Sequence, residues 1–367
     1  MTGPVGIGSA SLYASMPALE NRDREPEVSV VVIFHDRTRF LVDALHSVIA
    51  PAPTTRFEIL VVGPQHPAEI ARFEQEGTAR WVPSPAVSLG AKVARGLEEA
   101  RGELVTFLED DDRFRPGKVD WVRAHFQRSP SLGYLQNGFT IINEAGRRSD
   151  TAYYKGGHMR RWQAQGPIRL PARPSRRDLL SLAPIPVSHN LSSISIRRWI
   201  ARDQTRLLEE IAYPLDLGIF AVALVAPTEM RFDPNPMTEI RVHGSSFSNP
   251  AVDRGSVEDL GLRRASERNW IGRHMLDKFV RERGEPEVVE TWGGLTAIGD
   301  INHYLRVPEV DRRTVAGAWL RSVERWNTAF VQSSRALLLP ASVSMFSPRF
   351  GSRLYFEVRR LTVGGKR

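Results

Sequence analysis

The sequence predicts an α/β protein built on a mostly parallel, doubly wound sheet, with a helical extension at its carboxyl end. Three observations lead there. Short, strongly apolar runs ("VSVVVIF", "FEILVV", "ELVTFL") alternate with stretches whose apolar residues fall at helical spacing. The connections between them are only a few residues long, as in strand–helix–strand units. Beyond Pro250 the alternation stops and longer helical patterns replace it.

From Val28, "VSVVVIF" reads as a buried strand, and Leu41, Ala44, Leu45, Val48 and Ile49 mark one face of the helix after it. "FEILVV" is a second strand, Gly63 and Pro64 a break, and Ile70 and Phe73 belong to a short helix. "ARWVP" is a third strand. Val93, Ala94, Leu97 and Ala100 then define a helix that stops at Gly102, where a glycine suits a left-handed cap. The fourth strand, "ELVTFL", runs straight into Glu109, Asp110, Asp111 and Asp112. Pro116 suits a first helical turn, with Val119, Val122 and Phe126 facing inward. "GYLQNGFTIINEAGR" reads as a strand pair. Residues 151–182, with Tyr153, Tyr154, Trp162 and the arginines 160, 161, 169, 173, 176 and 177, read as an insertion or mobile loop. "SSISIRR" is a strand, "LDLGIFAVALVA" a buried helix, and "MTEIRVHGSSFSN" a strand that leaves into a loop. Two helical patterns follow, over roughly 256–283 and 311–336. The division is a flexible leader over 1–27, an α/β domain over 28–250 and a mainly helical extension over 251–367.

At 367 residues, 41% hydrophobic and 25% charged, the composition is that of a globular protein and excludes a fibrous or wholly disordered chain. No run of eighteen apolar residues occurs, which excludes a spanning helix, and the leader lacks the basic start and apolar run of a secretory signal. The absence of cysteine excludes disulfides, thiolate zinc sites and a cysteine nucleophile, and fits a cytoplasmic setting. Of the 50 basic residues only five are Lys, and the net charge of +8 favours anionic partners: nucleic acid, an acidic membrane face or a phosphorylated small molecule. At the carboxyl end, "LLLPASVSMF" and "LYFEV" lie among Arg349, Arg353, Arg359, Arg360, Lys366 and Arg367. This pattern fits either peripheral contact with the inner membrane face or burial against the rest of the chain.

Four adjacent carboxylates at a strand end repel one another, and a divalent cation is one way to neutralise them. Oxygen ligands suit magnesium or manganese, with positions left for substrate phosphate. A solvated acidic loop is the other reading. In sheets of this kind, ligands bind beyond the carboxyl ends of the strands, where the run lies.

Five phrases, taken in order, resemble the family 2 glycosyltransferases of the GT-A fold: "VSVVVIFHDRTRFLVDALHSV", "RGLEEARGELVTFLEDDDRFRPGKVDWV", "NGFTIINEAGR", "SSISIRR" and "IRVHGSSFS". The resemblance implies an inverting transfer of sugar from a nucleotide-sugar donor. It puts His35 and Asp36 at the base, Glu109 and Asp110 on the donor side, and Asp111 on a manganese or magnesium ion, with Glu109 and His243 as further ligand candidates. It also implies that Asp216 is the general base, although the family's preceding Glu is Leu215 here. Read from the residues alone, Asp216 is equally a helix N-cap; as a lone acid in an apolar stretch it should have a raised pKa. Lys92 and Arg95 are diphosphate candidates. The chain departs from the family where Gly63 and Pro64 replace a pair of base-reading acids and where Val93 and Ala94 replace a basic residue and an asparagine. Base recognition must therefore differ.

The acceptor class stays open among glycans, lipid-linked and small molecules. The rival reading is a non-catalytic module for nucleic acid or an anionic membrane surface on a degenerate GT-A fold. The acidic run weighs against nucleic acid, because it repels phosphate chains unless a metal covers it.

Overall fold

The structure is a computed structural model that describes residues 25–86, 88–149, 156–183, 185, 187, 189–244, 260–307, 312–325, 338–347 and 350–355. The first part runs β1 (Val28–Ile33), α1 (Thr38–Ile49), β2 (Phe57–Gly63), α2 (Ala71–Gln75), β3 (Arg80–Pro83), α3 (Leu89–Glu99) and β4 (Leu104–Glu109). After it come β5 (Arg113–Phe114), α4 (Lys118–Arg128), β6 (Leu132–Asn143), α5 (Gly156–Gln165), β7 (Ile168–Leu170) and α6 (Arg176–Leu180). The α/β part closes with β8 (Ile194–Arg197), α7 (Arg198–Arg202), α8 (Thr205–Glu210), α9 (Leu215–Val225) and β9 (Glu229–Val242). Helices α10 (Leu260–Arg283), α11 (Pro286–Arg306), α12 (Arg312–Glu324) and α13 (Leu338–Ser344) are described beyond it.

The unbroken apolar runs of β1, β2 and β4 have a simple cause, which is that both faces of these strands are covered. Val31, Ile33, Leu60, Val62, Val105 and Phe107 point into one core cluster with Val93 and Leu97 of α3 and the apolar residues of α9. Their alternates Val30, Val32, Ile59, Val61, Leu104 and Leu108 point into a second cluster with Leu41 and Leu45 of α1 and Val122 of α4. The sheet order is β3-β2-β1-β4-β8-β6-β9-β5, with β7 paired to β9. The first four strands are parallel, as expected. The second half is mixed: β8 runs antiparallel to both β4 and β6, and β6 is parallel to β9. β8 reverses because the chain enters it from the carboxyl end of β4, which brings residues 190–193 to the site described below.

Several expectations are corrected. The strand pair after α4 is one twelve-residue strand, β6, with a short return that bridges it at Ile142 and Arg148 and donates from Ser149 to the Ile141 carbonyl. Gly102 is not a left-handed cap. The helix closes at Ala100, and a Cβ at Gly102 would lie 2.6 Å from the Ser29 nitrogen, so close approach to β1 is what requires glycine there. Residues 156–180 hold two helices and a strand, with Trp162 fully buried in the main core. The Pro, Gly and Arg between its few apolar residues hide this order from a periodicity reading. The arginines at 169, 173 and 176 pair with Glu229, Glu285 and Glu290. Tyr153, Tyr154 and the boundary near 250 lie outside the described residues.

Helix α11 was not expected. It buries residues on several sides, among them Val288, Thr291, Trp292, Gly293, Ala297 and Ile301, so it carries no polar stripe to reveal its period. Its Trp292 and Val288 join Leu276, Phe279 and Val280 of α10 in the main core cluster, so the helical extension continues the core of the α/β part. Further out, Ile301, Leu305, Val315, Ala341 and Tyr355 form a third cluster. The apolar carboxyl segment therefore splits: Ala341 and Tyr355 are buried, whereas Phe346 is 81% exposed. Among the described residues no helix is long and apolar enough to cross a membrane.

Candidate active site

Ile33 and Glu109 are register partners at the ends of the parallel strands β1 and β4, so residues 34–37 and 109–112 leave the sheet side by side. The backbone nitrogen of His35 donates to Asp110 Oδ2 at 2.8 Å, and that of Asp110 donates to the Ile33 carbonyl at 3.2 Å. Asp110, Asp111 and Asp112 are all buried, with Asp110 wholly inaccessible. Burying three carboxylates demands compensation. Asp110 has the Arg37 guanidinium 2.7 Å from its Oδ1, and the same guanidinium bonds Asp111 Oδ2. Asp112 accepts from Asn190 Nδ2 at 2.9 Å, Ser192 Oγ at 2.7 Å and the Arg241 backbone nitrogen at 3.0 Å. The Glu109 carboxylate accepts from the same Asn190 amide at 3.2 Å.

The compensation is incomplete, and the acidities show it. Burial pushes Asp110 up to about 6 against the pull of Arg37. Burial, with the charge of Asp111 added, pushes Asp112 up to about 7. Glu109 is held well above the usual carboxylate range by burial and then by Asp112 and Asp111. Arg37 loses to burial but gains more from Asp111 and Asp110, so its charge is reinforced.

Strand β9 closes the site from the other side. His243 lies just past its end, buried, with Nε2 3.0 Å from Asp111 Oδ2 and its ring 4.9 Å from that of Phe40. Two residues earlier, Arg241 clamps the acid run. Its Nε donates to the Asp111 carbonyl at 2.8 Å, another guanidinium nitrogen donates to the Glu144 carbonyl at 3.0 Å, and a third pairs with Asp43. Among the described residues no three His, Asp or Glu side chains form a group that would hold a metal ion. Asp111 and His243 form a pair. One carboxylate and one imidazole, completed by diphosphate oxygens and water, is a donor set that magnesium or manganese accepts.

Lys92 is only 1% exposed, and its Nζ donates to the Phe34 carbonyl at 3.0 Å and lies 2.9 Å from His35 Nδ1. Burial, then the charges of Lys92 and Arg37, lowers His35 to about 4, so the ring is neutral and Nδ1 is free to accept from Lys92. Asp36 is exposed. Arg95 is not brought to the site: its guanidinium pairs with Glu98 and, at 2.7 Å, with Glu99. At the departures from the family pattern, Val93 and Ala94 are buried in the underside of α3, and a Cβ at Gly63 would meet the Phe34 ring at 2.9 Å. A base-reading acid has no room at that position.

Asp216 stands in the first turn of α9, where Pro214, not Asp216, takes the N-cap place. Its Oδ1 accepts from the Leu217 nitrogen at 2.9 Å and its Oδ2 from the Asn190 nitrogen at 3.2 Å. The carboxyl is half-exposed and hydrogen-bonded, which replaces the expectation of a lone acid in an apolar setting. Asn190 is thus the joint between Asp216 and the acid run. It sits at φ 64, a left-handed conformation that few residues other than glycine adopt. The sequence reading missed it, as it missed Arg37, Arg241 and Arg273. Arg37 follows Asp36 and Arg241 precedes His243 by two, so proximity to the motifs is a usable signal for those two; Asn190 has none. Arg273 belongs to α10, where a Cβ at the neighbouring Gly272 would lie 2.2 Å from the Tyr213 carbonyl. That close approach brings the guanidinium within electrostatic reach of Tyr213 and Asp216.

Residues 29–172 match the family model described as Glycosyl transferase family 2. No curated protein matches the chain. Among solved structures, the chain is similar to the crystal structure of S. aureus TarS 1-349, at 13% identity over 84% of this chain and 91% of that one, with a TM-score of 0.50. The crystal structure of S. aureus TarS 1-349 in complex with UDP-GlcNAc matches at 15% identity over 84% and 92%, with a TM-score of 0.46. The first likeness shows a shared fold.

Proposed function

Because residues 29–172 match the family model described as Glycosyl transferase family 2, we propose that the chain is an inverting glycosyltransferase that moves a sugar from a nucleotide-diphosphate donor to an acceptor hydroxyl. The observation that carries this reading is the junction at Asn190, whose backbone nitrogen holds Asp216 while its side-chain amide holds Glu109 and Asp112. A base and a donor-side acid run are thereby fixed in one frame.

Asp111 and His243 are the residues that would hold a divalent ion, manganese or magnesium. When bound, such an ion supplies positive charge that steadies the leaving diphosphate. Neutral His35 and exposed Asp36 face the nucleotide side, and Lys92, held against His35, adds a buried cation close to the diphosphate. Asp216 accepts the proton of the acceptor hydroxyl. As it does so, the hydroxyl oxygen bonds the anomeric carbon and the bond from that carbon to the diphosphate oxygen breaks, with its electron pair leaving on the diphosphate. A single displacement of this kind inverts the anomeric configuration and needs no covalent intermediate. The two backbone N–H groups on Asp216 fix its orientation, which is the requirement for a positioned base.

Titration of nucleotide diphosphates and their sugar derivatives with and without manganese tests the donor half. Asp111→Asn should abolish the manganese-dependent part of the affinity in a chain that remains folded. Equal affinity of UDP, GDP and dTDP derivatives, with and without the ion, would reject the reading.

A further inference from the structure

The oxygen proposed to bind the ion already has a cation on it. Asp111 Oδ2 is bonded by an Arg37 guanidinium nitrogen on one side and met by His243 Nε2 at 3.0 Å on the other. A second Arg37 nitrogen stands 2.7 Å from Asp110 Oδ1. A magnesium ion needs that Asp111 oxygen at about 2.1 Å with near-octahedral space around it. With His243 on its other side, that oxygen has no lone pair left for such an ion while Arg37 stays.

The way Arg37 is held points the same way. Its guanidinium reaches the site from the loop after β1 and is held there by the two carboxylates. Its Nε is buried with no hydrogen-bond partner, which an anchored arginine of this burial normally has. Arg241, by contrast, is tied by three backbone carbonyls as well as by Asp43. One arginine is part of the frame, and the other is a cation resting on two acids. A guanidinium that leaves a carboxylate needs a new anion, and a diphosphate suits its planar fork of donors.

We propose that Arg37 is a built-in competitor of the divalent ion, seated on Asp110 and Asp111 in the donor-free chain and transferred to the donor's diphosphate when ion and donor enter together. The inference rests on the reading that Asp111 holds the ion. It makes metal binding weak without a diphosphate and strong with one.

The test is manganese binding itself, followed by electron paramagnetic resonance of the free ion at pH 8 in the full chain, with inorganic pyrophosphate as the diphosphate probe. In the donor-free chain, Arg37→Gln should bind manganese about tenfold more tightly than wild type. With the manganese held by pyrophosphate alone subtracted, pyrophosphate should tighten manganese binding in both chains, since its oxygens complete the ion's donor set, and by about tenfold more in wild type than in Arg37→Gln. Equal manganese affinity in the two chains, lost from both on Asp111→Asn, overturns the role of Arg37 and leaves the site reading standing. Manganese binding that is indifferent to Asp111→Asn overturns the site reading and this inference together. Should Arg37→Gln fail to fold by circular dichroism, Arg37→Lys decides. A lysine cannot span both carboxylates, so manganese binding about threefold tighter than wild type supports the proposal, and unchanged or weaker binding rejects it.

Discussion

The proposed donor side and the proposed acceptor side of the site are held by different forces. On the donor side, four consecutive acids meet two arginines, a histidine and a buried amide, and the balance of charge decides which protons stay. On the proposed acceptor side, Asp216 accepts from two backbone N–H groups at a helix start, and Arg273, from a different part of the chain, lies within electrostatic reach of it. Substitutions on the donor side should therefore act through charge and pH, and those on the acceptor side through geometry, with little pH signature.

The largest effect on stability should come from Arg241→Met. Removing a buried guanidinium takes from Asp43 one of its two arginines and from the Asp111, Asn143 and Glu144 carbonyls their donor, and leaving buried acceptors without a donor costs about 1 to 3 kcal/mol. Chemical denaturation measures it. A loss below about 1 kcal/mol would mean that the acid run is held by something else.

A smaller effect sharpens the comparison through pH. Asp110 and Asp112, raised to about 6 and about 7, and Glu109, held well above the usual carboxylate range, keep more protons folded than unfolded. Stability in the absence of ligand should fall as pH rises from about 4 to about 7 on their account. His35, lowered to about 4, has the opposite sign and adds stability between about 4 and 6.5, so it offsets one of the three acids. The net slope is negative across this range, because three acids outweigh one histidine, and it eases near neutrality as Asp110 and then Asp112 lose their protons. Asp112→Asn should flatten the fall between pH 6 and 7.5, and an unchanged slope in that variant would show that Asp112 does not keep its proton. Arg95→Ala should have the smallest effect, within about 0.5 kcal/mol and without change in donor affinity, because its ion pairs lie on the solvent side of α3.

The parallel half of the sheet was legible because its strands are buried on both faces and write their length directly as apolar runs; β1, β2 and β4 start and end within one residue of those runs. The second half was less so. β6 looked like two strands because "NEAGR" is a turn signal placed after one long strand, and α11 hid because it is surrounded. In the site, the acids 109–112, His35, Lys92, Asp216 and His243 were named from pattern and family likeness, and the structure gathers them beyond β1, β4 and β9. Arg95 was named for the same reason and faces elsewhere, since sequence places a residue on a helix but not on the side toward a ligand. Asn190 was invisible: its role comes from a left-handed backbone and from contacts 78 and 81 residues away, which no local spacing encodes.

The central claim is that Asp216 is the base of a sugar transfer assembled on this frame, and single-turnover kinetics of Asp216→Asn with a bound donor test it most directly. The substitution is nearly isosteric, keeps one carbonyl oxygen for the backbone donors and removes the basicity. Sugar transfer should slow by about 10² to 10⁴, the range for a positioned base, while donor affinity stays as in wild type. Transfer at near-normal rate with unchanged donor affinity would contradict the account.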